Sequence, residues 1–326
     1  MISPNIIIGF LRSNKNVYIF FPDSKILNIS IYIKRVNVLV KIENDFYFYL
    51  NGKILKGKEL SISPFDRGFL FGDGVYETLR WYKGKLFKLG LHIERLKKSL
   101  ASSKINFTAF NEIEKVVNKL VAVNNFGNEE HLFVYLQITR GTYFPRQHHF
   151  PPADVEPTFF LSVTPFKRQE QQFRDGIKVI LEEDIRWVRC DVKSTMLMPN
   201  VLARQKALEQ NAVEAIFVRN GYITEGTHTS FCAVKNEELY THPLSNLILD
   251  GITRKVILEI CKMQNIPVNE VKIKSEELKT FDEIMLLGTI SEVMPVVQVN
   301  DWLVGNGKPG VFTLKLQSLL LEMILG

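Results

Sequence analysis

The sequence has few of the features that mark secreted, membrane or metal-binding proteins. Its 326 residues include three cysteines, Cys190, Cys232 and Cys261, whose number is odd and whose spacing matches no metal motif. They are expected to be reduced thiols. No apolar run reaches the roughly 18 residues that a membrane-spanning helix requires. The N-terminus lacks the basic start and the small-residue cleavage site of a signal peptide. The sequence therefore favours a cytoplasmic protein with no membrane partner.

A strong excess of either charge is also missing. The chain has 41 Lys and Arg against 35 Asp and Glu, and its net charge is +6. The basic residues are scattered among acids, so a nucleic-acid partner is not expected. The six histidines show no metal-ligand spacing, and no metal is expected. With 46% apolar residues, the chain can build a sizeable core.

Strand and helix patterns occur in both halves of the chain. Asn51-Gly52 and Asn220-Gly221 interrupt β-rich runs, which is typical of tight hairpins. Pro199 can start a helix that runs to about Gln210. Amphipathic spacing predicts further helices over 90–102, 111–124 and 310–325.

A chain of this length is comfortable as two domains. The polar stretch 166–176 is the best candidate for the linker between them. We therefore predict an α/β (α+β) protein with a small α/β domain over 46–165 and a larger domain over 166–326. Residues 1–45 are an N-terminal extension that contains strand-like pieces but no motif.

Five separated segments carry patterns that belong together. They are SPFDRGFLFGDGVYETLR (63–80), HIERLKKS (92–99), DVKS (191–194), YITEGTHTS (222–230) and GITR (251–254). In this order, and over roughly 48–326, they resemble the class IV (fold-type IV) pyridoxal-phosphate aminotransferases. The resemblance implies a homodimer whose larger domain contains a barrel-like sheet. It also implies that pyridoxal 5′-phosphate lies in the crevice between the two domains.

The same resemblance assigns roles to individual residues. Lys193 is expected to bond to the cofactor aldehyde, because a shielded lysine amine can lose its proton near neutral pH. Glu225 is expected to face the pyridine nitrogen and keep it protonated, which makes the ring an electron sink. Without the family pattern, both would be interpreted as ordinary solvated residues. The full set of expected cofactor-binding residues is Arg95, Lys193, Glu225, Leu249, Ile252, Thr253 and Thr289.

The segment TRGTYFPRQHHFP (139–151) bears on the substrate. Arg146 and His148 match an Arg-x-His pair that, in D-amino-acid aminotransferases, reaches across from the partner subunit. With Tyr76, the pair would grip the substrate α-carboxylate, since a guanidinium binds a carboxylate as a two-pronged fork. The predicted reaction is transamination between D-amino acids, such as D-alanine, and 2-oxo acids, such as 2-oxoglutarate. A branched-chain L-amino-acid aminotransferase or an aminodeoxychorismate lyase on the same fold is the alternative.

One segment departs from the family pattern. After Glu225-Gly226, relatives run through small hydroxyl residues to asparagine, whereas this chain has Thr227, His228, Thr229 and Ser230. His228 stands where a serine is expected and would lie near the cofactor or the side-chain pocket. It is expected to crowd the pocket and to narrow the substrate range toward small side chains such as that of alanine.

Overall fold

The computed structural model describes residues 11–13, 16–18 and 45–326. The first two segments form a short antiparallel pair, β1 (Leu11–Ser13) with β2 (Asn16–Tyr18). The rest of the N-terminal extension lies outside the described residues.

One antiparallel sheet is built from six strands. They are β3 (Tyr47–Leu50), β4 (Lys53–Lys56), β5 (Gly74–Tyr82), β6 (Lys85–Leu86), β7 (His131–Thr139) and β8 (Thr158–Pro165). Their order across the sheet is β4-β3-β8-β7-β5-β6. Between β3 and β4, Asn51 and Gly52 both take positive φ angles, 45° and 86°, as the tight hairpin turn requires. The first predicted hairpin is confirmed.

Three helices accompany this sheet: α1 (Arg67–Phe71), α2 (Leu89–Ser103) and α3 (Glu112–Val123). Leu96 and Leu100 of α2, together with Val117 and Leu120 of α3, pack into one core with the buried residues of the sheet. The predicted amphipathic spacing is therefore real. Arg95 of α2 is also buried, and its side chain reaches the functional site.

The second half of the chain forms a closed barrel of six strands. They are β9 (Ile177–Glu183), β10 (Glu214–Arg219), β11 (Tyr222–Gly226), β12 (Ser230–Lys235), β15 (Glu283–Gly288) and β16 (Glu292–Val299). Each pairs with the next, β16 returns to β9, and Glu225 of β11 pairs with Ser230 of β12. The strands β13 (Glu238–Thr241), β14 (Val268–Glu270) and β17 (Trp302–Leu303) extend the sheet. The mixed α/β architecture with a barrel-like second half is confirmed.

Four helices belong to this half: α4 (Glu170–Asp175), α5 (Met198–Glu209), α6 (Ile252–Met263) and α7 (Val311–Leu325). Helices α6 and α7 cover one side of the barrel. The stretch 166–176, predicted as a linker, contains α4, whose Phe173 is buried in the barrel core. Within the described residues, no helix is long and apolar enough to cross a membrane.

Candidate active site

A cavity of about 730 Å³ opens between the six-stranded sheet and the barrel. Eight of the ten predicted site residues line it, and they come from segments as far apart as β5 and the end of β15. These are Tyr76, Arg95, Lys193, Glu225, Leu249, Ile252, Thr253 and Thr289. Arg146 and His148 do not line this cavity. The fold thus brings together the residues assigned to the cofactor and leaves out two of the three assigned to the substrate.

Lys193 is held by its backbone against strand β5 and helix α2. Its carbonyl accepts a hydrogen bond from the amide of Tyr76 (3.0 Å), and its amide donates to Oγ of Ser99 (3.1 Å). The Lys193 ammonium lies 4.1 Å from the centre of the Tyr76 ring. The amine and the phenol therefore face the same part of the cavity, where a reacting carbon would have to be placed.

Glu225 is buried at the end of β11 and is paired with an arginine that the sequence analysis missed. Arg186 Nη1 lies 2.6 Å from Glu225 Oε1, and the amide of Leu249 donates to Oε2 (3.0 Å). Arg186 also binds Asp184 through Nε and Nη2. Burial raises the pKa of Glu225, and Arg186 opposes that rise. The carboxylate is therefore oriented and electrostatically compensated inside the protein.

Arg95 is positioned by a second buried acid. Glu77, which follows Tyr76 in β5, accepts hydrogen bonds from Arg95 Nε (2.7 Å) and Nη2 (2.8 Å), while His92 Nδ1 lies 2.9 Å from the same carboxylate. Burial alone would raise the pKa of Glu77, but Arg95 and His92 outweigh it and hold this pKa well below its ordinary value. The sequence contained a signal for this buried acid, because Glu77 is the lone acid in a strand whose side chains are mostly buried.

The N-terminus of α6 forms part of the wall of the cavity. Gly251 precedes the helix, which is not capped by any side chain of the described residues, so its first N–H groups are available to an anion. A Cβ at Gly251 would collide with Oγ of Ser230, so the backbone approaches closely here. Arg95 Nη1 donates to the carbonyl of Asp250 (3.1 Å), which brings a cation from α2 to this helix start.

Arg146 and His148 lie on the far side of α1 from the cavity. The Arg146 guanidinium lies 4.4 Å from the centre of the Phe71 ring, and the His148 ring lies 5.4 Å from it. Phe71 itself lines the cavity. Arg67 fixes the loop by donating to the carbonyls of Gln147 (2.7 Å) and His148 (3.2 Å). Both side chains are thus presented at the surface on a braced loop.

This fold and site define a class, and the comparisons with known proteins identify it. Residues 74–299 match the family model described as amino-transferase class IV, and the chain belongs to this family. It is 41% identical over 270 residues to the D-alanine aminotransferase of Staphylococcus haemolyticus, covering 82% of this chain and 94% of the relative. It is 38% identical over 276 residues to the D-alanine aminotransferase of Bacillus licheniformis, covering 84% of this chain and 96% of that relative.

Solved structures confirm the fold. The branched-chain amino acid aminotransferase of Escherichia coli superimposes with a TM-score of 0.79 at 22% identity, covering 86% of this chain and 95% of that one. The branched-chain aminotransferase of the archaeon Thermoproteus uzoniensis with norvaline gives 0.75 at 24% identity, covering 86% and 95%. At this identity the similarity concerns the architecture alone.

Class IV aminotransferases use pyridoxal 5′-phosphate, so the cofactor predicted from the sequence is confirmed. The residues of the cavity fit such a group. The uncapped start of α6 and the guanidinium of Arg95 suit a phosphate. Among the described residues, Oγ1 of Thr229 is buried in the cavity wall without a hydrogen-bond partner, which leaves a further polar atom for a ligand. Lys193 and Glu225 line the same cavity and offer the amine and the carboxylate that the aldehyde and the pyridine nitrogen would require.

Proposed function

We propose that this chain transfers the amino group of D-amino acids, D-alanine among them, to a 2-oxo acid such as 2-oxoglutarate. The observation that carries the proposal is the exposed, braced loop that presents Arg146 and His148 in the pattern of a carboxylate trap. The names of relatives at 38–41% identity support the same reaction. The three free, buried cysteines support a cytoplasmic location.

The trap requires a second copy of the chain. In one chain, Arg146 and His148 are separated from the cavity by Phe71 and α1. Four large aromatic side chains are exposed around the same loop and helix, which is typical of a protein–protein interface. They are Phe65, Phe69, Phe144 and Phe150. A homodimer that covers these rings would carry the loop of each subunit to the cavity of the other, where Tyr76 lies.

The residues of the cavity then divide the chemistry. When bound, pyridoxal phosphate supplies an electron sink for the charge left on the α-carbon as its proton departs. Lys193 Nζ takes the α-proton and returns one, as general base and acid. Glu225, oriented by Arg186 and the amide of Leu249, keeps a proton on the pyridine nitrogen. The fixed carboxylate trap decides which enantiomer turns its α-hydrogen toward Lys193.

Kinetics on two amino acids test the proposal. Wild type is expected to turn over D-alanine with 2-oxoglutarate and to prefer it to L-leucine. Arg146→Ala should lower kcat/KM for D-alanine by roughly tenfold to hundredfold, because it removes a charge-assisted contact worth about 1.5–3 kcal/mol. A preference of the wild type for L-leucine would point to the branched-chain alternative.

Arg174→Ala is the matched control. Arg174 lies on α4 and is largely exposed, and within residues 45–326 its only ion pair is with its neighbour Asp175. This variant should retain wild-type kinetics. If Arg146→Ala retains them as well, the trap assignment is wrong.

A further inference from the structure

His228 lines the active-site cavity at a position where a serine is expected. It follows Glu225 by three residues, on the turn between β11 and β12. Its side chain is 44% exposed, and the cavity is still about 730 Å³ with the ring in place. The imidazole therefore forms part of the wall of an open site and does not fill the site.

A buried acid lies beside the ring, and a threonine hydroxyl lies within hydrogen-bond distance of the ring. Glu214, at the start of β10, is 2% exposed, and its Oε2 lies 2.7 Å from His228 Nδ1. The other oxygen accepts a hydrogen bond from Oγ1 of Thr227 (2.5 Å), which lies 3.1 Å from the same imidazole nitrogen. Asn200 Nδ2 donates to the carbonyl of Thr227 (2.6 Å), which fixes the turn itself. These contacts with Glu214, Thr227 and Asn200 define the position of the ring, in contrast to a freely solvated surface histidine.

The charge behind the ring is negative. Burial alone would raise the pKa of Glu214, but His228, Thr227 and Arg204 together hold it below its ordinary value. Arg204 Nη1 is 3.7 Å away, so the imidazole is the closer of the two basic groups. Because Nδ1 faces Glu214, Nε2 is the nitrogen left for a ligand. An imidazole whose Nδ1 is occupied in this way can donate a hydrogen bond from Nε2.

We infer that His228 binds the distal carboxylate of a dicarboxylic substrate, such as an acidic D-amino acid or the corresponding 2-oxo acid. The inference rests on the proposed function, whose acceptor 2-oxoglutarate is already dicarboxylic, and it assigns the residue that recognises the distal carboxylate. A hydrogen bond from Nε2 to the distal carboxylate has an ionised acceptor, and it supplies affinity that a monocarboxylic substrate cannot use. The expectation that His228 restricts the site to small side chains predicts the opposite preference.

Half-reaction kinetics separate the two interpretations. Purified holoenzyme is mixed with D-glutamate or with D-alanine, and the absorbance change of the cofactor gives a second-order rate for each. His228→Ser should lower the rate with D-glutamate by roughly tenfold to hundredfold, the cost of one charge-assisted contact, and should affect the rate with D-alanine much less. His228→Gln, which keeps a donor of similar size without charge, should fall between serine and wild type.

Two outcomes overturn the inference: an equal loss on both amino acids, or an unchanged D-glutamate rate. A gain on D-leucine with D-glutamate unchanged would establish crowding instead. Binding of glutarate, compared with propionate, to the holoenzyme adds a readout that needs no turnover, and wild type should favour glutarate more than His228→Ser does. A wild type inactive on every D-amino acid refutes the proposed function, whereas an active enzyme without the glutamate effect refutes only the role of His228.

Discussion

Replacing Arg186 with methionine tests whether Glu225 depends on its buried partner. Arg186 is buried over the ring of Phe217, so methionine can occupy much of its volume. The substitution removes the cation 2.6 Å from Glu225. It also removes one of the two arginines on Asp184, which keeps Arg219 at 3.0 Å. Leaving one member of a buried ion pair without its partner costs about 3–5 kcal/mol.

The loss should depend on pH in a defined direction. Burial already raises the pKa of Glu225 above its ordinary value, and removing Arg186 raises it further. When the pKa of an acid is higher in the folded than in the unfolded state, the free energy of unfolding falls as the pH rises above the pKa of the unfolded state, which is about 4 for glutamate. Arg186→Met should therefore be closest to wild type in acid and fall progressively behind it toward neutral pH. Denaturant unfolding at a series of pH values measures this difference.

Function should change with stability in a specific way. In the proposed mechanism, a Glu225 that takes up a proton no longer holds one on the pyridine nitrogen, whereas the phosphate would be bound by other residues. We expect Arg186→Met to retain bound cofactor, seen by its absorbance, and to lose most of its turnover. Arg186→Lys should recover part of the stability, and Arg174→Met, on the exposed face of α4, should change neither property. If Arg186→Met keeps wild-type stability at neutral pH and wild-type turnover, the role assigned to this ion pair is wrong.

Three further predictions concern Lys193, the N-terminal extension and the buried acids. Borohydride reduction of the holoenzyme followed by peptide mapping should label Lys193. A label on Lys206, which is half-exposed and paired with Glu182, would show that Lys193 is not the lysine bonded to the cofactor. A chain that begins near Asn44 should fold and keep its activity, because every motif lies beyond that residue; an insoluble or inactive product would make the extension part of the working enzyme. Wild type should lose stability as the pH falls below about 4, because the unfolded chain then takes up protons at Glu77 and Asp73, whose pKa values are lowered in the folded protein. Glu77→Gln should weaken that dependence, and identical pH profiles for the variant and wild type would contradict it.

The sequence predicted the elements whose signals are local. The Asn-Gly turns, the amphipathic helices and the start of α5 at Pro199 depend on neighbouring residues, and the structure has them in place. The family pattern also selected eight residues that line one cavity, although they are spread from Tyr76 to Thr289. What each of them does there remains a prediction.

The supporting acids and arginines were missed because their partners are distant in sequence. Glu77 lies 18 residues from Arg95, Arg186 lies 39 residues from Glu225, and only the folded sheets bring them together. A charged residue on its own is expected in solvent, since burial without a partner is costly. The interpretation of 166–176 as a plain linker failed to include α4 because a single buried side chain, Phe173, holds this polar helix.

The contact between Arg95 and the carbonyl of Asp250 has a consequence for how the holoenzyme assembles. The helix that carries Arg95 packs on the six-stranded sheet, whereas Asp250 precedes a helix that covers the barrel. An anion bound at this point would contact both the six-stranded sheet unit and the barrel unit. Its binding free energy would therefore stabilise the contact between the two units. Ligand that binds only the docked form stabilises it in proportion to the logarithm of its concentration. We therefore expect bound cofactor to stabilise the docked arrangement of the two units more than it stabilises either unit alone.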